Sequence, residues 1–156
     1  PDSRLHLLQW ETGGSVERAA ADHDGYERFP HPVRHRRELR VDWLNGSWRV
    51  TDHLFSPMSG SHPHRLEWTL TFAPHCSLQP AEHGWSVVTP RQRFWLDGPR
   101  LSANGTPVAI SPRLDEESVA EQYGRARRAP FLRWSWEGSL PVEGVFTIAS
   151  LESRSA

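Results

Sequence analysis

The fold is decided by the stretch Ala21-Asp-His-Asp-Gly-Tyr-Glu-Arg-Phe-Pro-His-Pro-Val-Arg-His-Arg-Arg-Glu-Leu-Arg-Val-Asp42, followed at once by Trp43-Leu-Asn-Gly-Ser-Trp-Arg-Val-Thr-Asp52. An Asn-Gly pair between two alternating segments predicts a hairpin, because both central residues of a type I′ turn need a positive φ. Centring the turn on Asn45-Gly46 predicts the register. Leu44 then lies opposite Ser47. One face pairs Trp43 with Trp48, Val41 with Val50, Leu39 with Asp52 and Arg37 with Leu54. The other face pairs Asp42 with Arg49, Arg40 with Thr51 and Glu38 with His53.

This register predicts one mainly apolar face and one face with opposite charges across the strands, a pairing that stabilises a sheet. Arg37 lies on the apolar face, where a charge must find a partner. Asp52 is its diagonal neighbour on that face, so we predict a partly buried Arg37–Asp52 ion pair. Three further arginines share the opposite face. They indicate either a solvated sheet surface or a patch for anionic sugars, since guanidinium forks match carboxylates and sulfates; they are Arg34, Arg36 and Arg40.

Period-2 alternation continues along the rest of the chain and predicts many short strands. It is cleanest over residues 66–72, where four apolar residues alternate with polar ones. We expect these and four hairpin residues to lie largely on inner faces: Leu66, Trp68, Leu70, Phe72, Val41, Trp43, Trp48 and Val50. Residues 115–123 are the one candidate for a helical turn or two. Short strands separated by 13 Pro and 11 Gly predict an all-β antiparallel sandwich.

Length and composition narrow the class of protein. The 156 residues predict a single domain spanning 1–156. A net charge of −1 gives no reason to expect nucleic-acid binding. Cys76 is the only cysteine, which excludes an internal disulfide and a multi-cysteine metal site. No apolar run approaches the roughly 20 residues of a membrane span. A start without Met or a signal peptide leads us to expect a segment of a longer chain.

Four segments carry a family resemblance: residues 21–28 with His-Asp-Gly-Tyr, residues 32–39 with His-Arg-Arg, the hairpin ending in Val50-Thr-Asp52, and residues 64–74. In order and spacing they resemble the C-terminal β-sandwich domain of the heparinase II/III family of polysaccharide lyases. Later segments fit the same pattern, so the resemblance extends from about Val16 to Leu151. These later segments are residues 118–124, Ala129-Pro130 and Leu140-Pro141.

The resemblance implies a parent enzyme with an N-terminal (α/α) toroid before the sandwich, which cleaves uronate-containing acidic polysaccharide by β-elimination. In that family an Asn/His/Tyr set comes from the toroid, and a further His comes from an Ala-His-Asn-like stretch early in the sandwich. No Ala-His-Asn occurs here. We therefore predict no catalytic residue in this chain and expect the isolated chain to be inactive. The implied partners are an acidic polysaccharide and the toroid, with a periplasmic or extracellular location.

Three residues around the His-Asp-Gly-Tyr segment are our candidates for substrate binding: His23, Tyr26 and His35. His and Tyr offer hydrogen bonds to sugar hydroxyls; the alternative is a tight Asp-Gly turn whose polar groups are satisfied locally. The alternative for the whole chain is a stand-alone carbohydrate-binding or interaction module. The coding sequence upstream of Pro1 would distinguish it from a lyase domain.

His and carboxylate ligands suit zinc, so a cluster of these residues raises the hypothesis of a metal site. The candidates are His62 and His64, with Asp52 and His53 nearby. Three convergent ligands do not follow from the sequence, so we predict no metal and no cofactor. Ser59 and Ser61 have no nucleophile-elbow context.

Overall fold

The computed structural model describes residues 3–58 and 62–151. Ser59 and Ser61 lie outside this part of the chain. Within it, the backbone forms twelve β-strands and no helix. The strands are β1 (Leu5–Glu11), β2 (Val16–Tyr26), β3 (Val33–Asp42), β4 (Ser47–Phe55), β5 (Pro63–Thr71), β6 (Ser77–Ala81), β7 (Gly84–Val88), β8 (Arg93–Ala103), β9 (Thr106–Val108), β10 (Arg113–Gln122), β11 (Arg125–Ser139) and β12 (Val142–Ser150).

These strands form two antiparallel sheets of unequal size. Among the described residues, the larger sheet has nine strands in the order β1-β2-β3-β4-β12-β8-β7-β6, with β9 paired to β8. The smaller sheet has three, in the order β10-β11-β5. Their inner faces pack against each other, which confirms the predicted all-β antiparallel sandwich.

The core lies between the smaller sheet and the middle of the larger one. Leu132, Trp134 and Trp136 alternate along β11 and are all buried, as period-2 geometry requires of one face. Trp134 pairs with Trp68 of β5 and makes an edge-to-face contact with Phe146 of β12, with ring centroids 5.7 Å apart. Removal of these large apolar surfaces from water supplies the main favourable term in folding.

The smaller sheet leaves part of the larger one uncovered. Its core contacts reach β4, β12, β8 and β7, and only Val33 of β3 belongs to the buried core. The inner face over β1, β2 and most of β3 has no covering strand among the described residues. This uncovered face forms the floor of the candidate site.

The β3–β4 hairpin has a different register from the predicted one. Arg37 pairs directly with Asp52 and Val41 with Trp48, so each pairing is shifted by two residues. The connection is a four-residue turn, residues 43–46, because the Asp42 carboxylate accepts hydrogen bonds from the Asn45 N–H (3.0 Å) and side-chain amide (2.9 Å). The Trp43 N–H donates outside the hairpin, to the Ser15 carbonyl at 2.9 Å.

An even shift keeps every residue on its predicted face but changes the partners. The predicted pairings of Leu39 with Asp52 and of Asp42 with Arg49 are wrong; Arg40 faces Arg49 instead. The Arg37–Asp52 ion pair is confirmed, with the two residues directly opposite and not diagonal.

The predicted inner-face residues divide into two groups. Trp68 is buried, and Leu66, Leu70, Phe72 and Val50 are partly buried against the core. Val41 is half-buried outside the core. The burial predicted for Trp43 and Trp48 is wrong, since their exposed fractions are 57% and 48%. Trp43 lies in the turn, and Trp48 lies on the inner face beyond the reach of the smaller sheet.

The helical turn considered for residues 115–123 is also wrong. Residues 113–122 form β10, which pairs with β11 along its length. The fifteen-residue β11 offers a continuous edge to this segment. Pairing with that edge overrides the weak helical preference of a short Glu-rich segment.

Candidate functional site

A cavity of about 800 Å³ lies on the uncovered part of the larger sheet. Its floor comes from β2, β3 and β4, and one wall comes from β5. Two kinds of side chain line it. The polar and aromatic group contains His23, Tyr26, Phe29, His31, His35, Arg37, Asp52, His64, Arg65, Glu67 and Thr69; the apolar group contains Val33, Val50, Leu54, Leu66, Trp68, Leu70, Phe146 and Ile148.

A chain of hydrogen bonds crosses the polar side of this cavity. The Gly25 N–H donates to His23 Nδ1 at 3.3 Å. His23 Nε2 lies 3.2 Å from His35 Nδ1, and His35 Nε2 lies 2.7 Å from Asp52 Oδ1. Direct pairing of His23 with His35 across β2 and β3 brings the two rings together.

The backbone donor at Gly25 determines the tautomer of both rings. Because His23 Nδ1 accepts from an N–H, its ring proton sits on Nε2 and donates to His35 Nδ1. The His35 proton must then sit on Nε2, where it donates to Asp52. Burial and the neighbouring His35 lower the pKa of His23, which favours the neutral ring. No ring nitrogen of this pair keeps a free lone pair.

The hydrogen-bond chain ends at the ion pair between Arg37 and Asp52. Arg37 Nε donates to Asp52 Oδ1 at 2.7 Å, and Nη2 donates to Oδ2 at 2.8 Å. Burial alone would raise the pKa of Asp52, but hydrogen bonds from Arg37 and His35 outweigh it and lower the pKa from 3.8 to about 2. The bond to Asp52 raises the pKa of Arg37. The carboxylate is therefore ionised over the whole physiological range.

Two exposed aromatic side chains stand at the edge of the cavity, Tyr26 and Phe29, which we call the aromatic rim. Their rings are nearly parallel, with centroids 6.5 Å apart and planes 18° apart. Tyr26 also packs on His23 at a centroid distance of 5.2 Å, and Arg28 lies 5.4 Å from the Phe29 ring centre. The rim combines flat apolar surfaces with a hydroxyl and a cation.

The structure brings the three predicted substrate-binding residues, His23, Tyr26 and His35, to one cavity. It also adds members that the sequence did not single out. Phe29 and His31 come from the loop between β2 and β3, and their sequence signal was only closeness to Tyr26. Asp52, which the sequence predicted as the partner of Arg37, also joins the site, because the corrected register places it beside His35 as well.

The four residues considered for a metal do not converge. His53 lies between Glu38 (3.5 Å) and Glu143 (3.2 Å), away from Asp52. His62 stacks on His31 with centroids 4.0 Å apart, and His64 lies edge-on to the same ring at 6.5 Å. Burial, together with His31 and His62, lowers the pKa of His64. Over residues 3–58 and 62–151, no three His, Cys, Asp or Glu side chains are grouped to hold a metal ion. The same residues contain no helix long and apolar enough for a membrane crossing.

Similar folds occur in solved polysaccharide-lyase structures. The heparan sulfate lyase HepC from Pedobacter heparinus superposes with a TM-score of 0.69 at 12% identity, over 98% of this chain and 22% of that chain. A heparinase III gene product superposes with a TM-score of 0.67 at 12% identity, over 96% of this chain and 22% of the other. The chain thus spans about a fifth of the length of these proteins. No curated protein matches the sequence.

Fold and site together define a β-sandwich domain with a cavity on its larger sheet. The family profile described as "Heparinase II/III-like, C-terminal" matches residues 2–133, which is most of the chain. This chain belongs to the heparinase II/III-like family, as its C-terminal domain.

Proposed function

We propose that this domain is the C-terminal sandwich of a polysaccharide lyase acting on an acidic polysaccharide, and that its aromatic rim contacts the sugar chain. The proposal rests on family membership and on one structural observation, the exposed, mutually stacked pair of Tyr26 and Phe29 at the mouth of the cavity. The location that follows for such an enzyme is periplasmic or extracellular.

The chemistry of the rim suits a sugar. A pyranose ring presents apolar C–H groups on its faces and hydroxyls around its edge. Tyr26 and Phe29 offer flat apolar surfaces, and the Tyr26 hydroxyl can exchange hydrogen bonds with the sugar edge. The nearby guanidinium of Arg28 adds an attraction for carboxylate or sulfate groups.

In this proposal His23 and His35 are positioning residues for the rim and for Arg37. Both nitrogens of each ring are engaged in the hydrogen-bond chain that ends on Asp52. His23 supports the Tyr26 ring directly. Direct contact with the sugar falls to Tyr26 and Phe29.

The elimination itself is assigned to the rest of the parent enzyme. β-Elimination needs a base to remove the proton at C5, an acid for the departing O4, and a group that neutralises the uronate carboxylate. A histidine base needs a free lone pair, and neither His23 nor His35 has one. The toroid of a longer chain is therefore proposed to carry the chemistry.

Binding of the isolated chain to polysaccharides tests whether the aromatic rim contacts the sugar chain. Affinity electrophoresis in gels containing heparan sulfate, hyaluronan or alginate should show retardation that neutral dextran does not cause. Tyr26→Ala should weaken binding about fivefold, since one aromatic contact contributes about 1 kcal/mol. The chain has two tyrosines, so Tyr123→Ala at the fully exposed β10–β11 turn is a matched control. Equal retardation of the two variants would contradict the proposed contact between the aromatic rim and the sugar chain.

The coding sequence upstream of Pro1 tests whether this domain belongs to a polysaccharide lyase. A reading frame that continues into a helical toroid with Asn, His and Tyr supports the lyase. A start codon and a signal peptide directly before Pro1 would instead support a stand-alone carbohydrate-binding module.

A further inference from the structure

Arg37 has one occupied edge and one unoccupied edge on its guanidinium group. The edge formed by Nε and Nη2 donates to the two carboxylate oxygens of Asp52. A guanidinium carries five N–H donors. Two of the five are used here, so three remain, both on Nη1 and one on Nη2. Nη1 and Nη2 thus present a second pair of parallel donors, to which no protein acceptor is bonded among the described contacts.

This second edge is open to the cavity. Arg37 lines the cavity, and 57% of its side chain is exposed although its partner Asp52 is fully buried. Within the larger sheet, Asp52 lies opposite Arg37 on β4, and Ala21 lies opposite it on β2. The Ala21 methyl group offers no hydrogen-bond acceptor. Since Asp52 covers only the Nε and Nη2 edge, the exposed part of the guanidinium is the Nη1 and Nη2 edge.

The ion pair holds this free edge in a fixed orientation. Two hydrogen bonds from one planar group fix the guanidinium against the Asp52 carboxylate, and a hydrogen bond from His35 holds that carboxylate in turn. The side-chain freedom of Arg37 is therefore lost on folding and not on ligand binding, which lowers the cost of binding. Asp52 thus prepares Arg37 as a hydrogen-bond donor of defined direction.

The aromatic rim borders the same cavity as this edge. Tyr26 packs on His23. His23 in turn bonds to His35, which lies two residues before Arg37 on β3. The hydrogen bond to Asp52 raises the pKa of Arg37, and Tyr26 adds to the rise, as expected of a phenol near the guanidinium. A sugar ring that rests on Tyr26 therefore has the free edge of Arg37 within reach of its substituents.

We propose that the Nη1 and Nη2 edge of Arg37 binds a uronate carboxylate of the sugar chain whose ring rests on the aromatic rim. The inference rests on the proposed function and names the chemical group that the cavity recognises. A carboxylate offers two coplanar oxygens, which match two parallel N–H groups in one plane. It is attached directly to the pyranose ring, so a ring held at the rim fixes its position. A sulfate ester is tetrahedral and stands further from the ring; its binding here is an alternative outcome of the test.

Carboxyl reduction of the ligand tests the assignment. Hexasaccharides are cut from the polysaccharide that retards the wild-type chain most, and part of them is reduced so that each carboxylate becomes a primary alcohol. Titrations followed by nuclear magnetic resonance measure Kd for both forms. The wild type should bind the native form about tenfold more tightly than the reduced form, since hydrogen bonds to a charged group are strong.

Arg37→Lys identifies the residue responsible. It keeps a positive charge opposite Asp52 but removes the planar fork. It should weaken binding of the native hexasaccharide about tenfold and change binding of the reduced form less than twofold. Arg40→Lys on the outer face of β3 is the matched control and should leave both Kd values within twofold of the wild type. If Arg37→Lys does not fold, the double variant Arg37→Gln/Asp52→Asn, which leaves no unpaired charge, should show the same discrimination.

Two results would overturn the inference while the proposed function stands. One is an equal loss of affinity for the native and reduced forms, which would give Arg37 a structural role. The other is a tenfold loss on a sulfated hexasaccharide that persists after carboxyl reduction, which would assign the edge to sulfate. Tyr26→Ala should weaken both forms about equally in either case, because the rim contacts the ring and not the carboxylate. A wild-type chain that no acidic polysaccharide retards would overturn the inference and the proposed function together.

Discussion

Arg37 and Asp52 lie directly opposite each other on β3 and β4, and their ion pair is strongly asymmetric in exposure. The Asp52 side chain has an exposed fraction of 0%, whereas that of Arg37 is 57%. Both carboxylate oxygens accept from the guanidinium, and His35 supplies a third donor. The anion depends on its protein partners, while the cation retains access to water.

This asymmetry predicts unequal costs for removing the two partners. Arg37→Ala leaves a fully buried carboxylate with His35 as its remaining partner, and should cost about 3–5 kcal/mol of unfolding free energy. Asp52→Ala should cost less, because the exposed Arg37 can hydrate. Arg40→Ala is the matched control on the outer face of β3, where a surface pair contributes about 0–1 kcal/mol. Denaturant unfolding curves of the three variants measure these differences.

The order Arg37→Ala, Asp52→Ala, Arg40→Ala is the diagnostic result. A larger loss for Asp52→Ala than for Arg37→Ala would mean that the carboxylate organises the cavity through His35 more than through Arg37. Equal losses for Arg37→Ala and Arg40→Ala would contradict the inner-face position of the pair.

Acid should remove the contribution of Asp52 in a defined pH window. Its pKa falls from 3.8 to about 2 on folding, so the folded state binds this proton less readily than the unfolded state. The stabilisation is thus present above about pH 4 and is lost as pH falls through about 2. At about 1.4 kcal/mol per pKa unit it amounts to about 2 kcal/mol. Asp52→Asn cannot titrate, so the difference between its unfolding free energy and that of the wild type should shrink by this amount from pH 5 to 2. A constant difference would show that Asp52 has an ordinary pKa when folded.

The hydrogen-bond chain predicts the protonation state of His23. At pH 7 this ring should be neutral with its proton on Nε2, since the Gly25 N–H occupies Nδ1. The lowered pKa of His23 places its titration below 6.5. Its neutral form therefore stabilises the fold above about pH 6.5, and this contribution is lost as pH falls below that value. Nitrogen chemical shifts of the imidazoles, followed over pH, report both properties. A proton on His23 Nδ1 at pH 7 would contradict the network.

The hairpin shows what local sequence rules could and could not supply. Alternation assigned the faces of β3 and β4 correctly, because a face depends only on period 2. The register predicted from Asn45-Gly46 was wrong because Asp42 binds Asn45 and the Trp43 N–H bonds to Ser15. The turn preference of a dipeptide carries no information about such contacts. Gly46 has a positive φ there, but Asn45 does not.

The same dipeptide makes the expected turn elsewhere. Asn104 and Gly105 have φ values of 50° and 77° and connect β8 to β9 as a two-residue hairpin, with Ala103 paired to Thr106. The Asn104 N–H also donates outside its hairpin, to the Pro141 carbonyl at 2.9 Å, but no side chain is bonded to this turn among the described contacts. Asn-Gly thus predicts a hairpin reliably, while its surroundings decide the turn length.

The candidate site was predictable only in part, for a related reason. His23, Tyr26 and His35 stood out as residue types, and their convergence follows from the pairing of β2 with β3. The His35–Asp52 contact depended on a register that the sequence misplaced by two residues. The exposure of Trp48 depended on the extent of the smaller sheet, which is a property of the whole fold.

The isolated chain should show no elimination activity on heparan sulfate, alginate or hyaluronan. The reaction creates an unsaturated uronate with ultraviolet absorbance, so the expected result is a trace equal to that of a heat-treated control. The physical reason is that the lone pairs of His23 and His35 are occupied in the hydrogen-bond chain, so neither ring can accept the proton at C5. Under the proposed function, the parent enzyme with its own upstream sequence should raise the absorbance on at least one of these substrates. Activity in the isolated chain that Tyr26→Phe abolishes would instead place a catalytic residue in this domain.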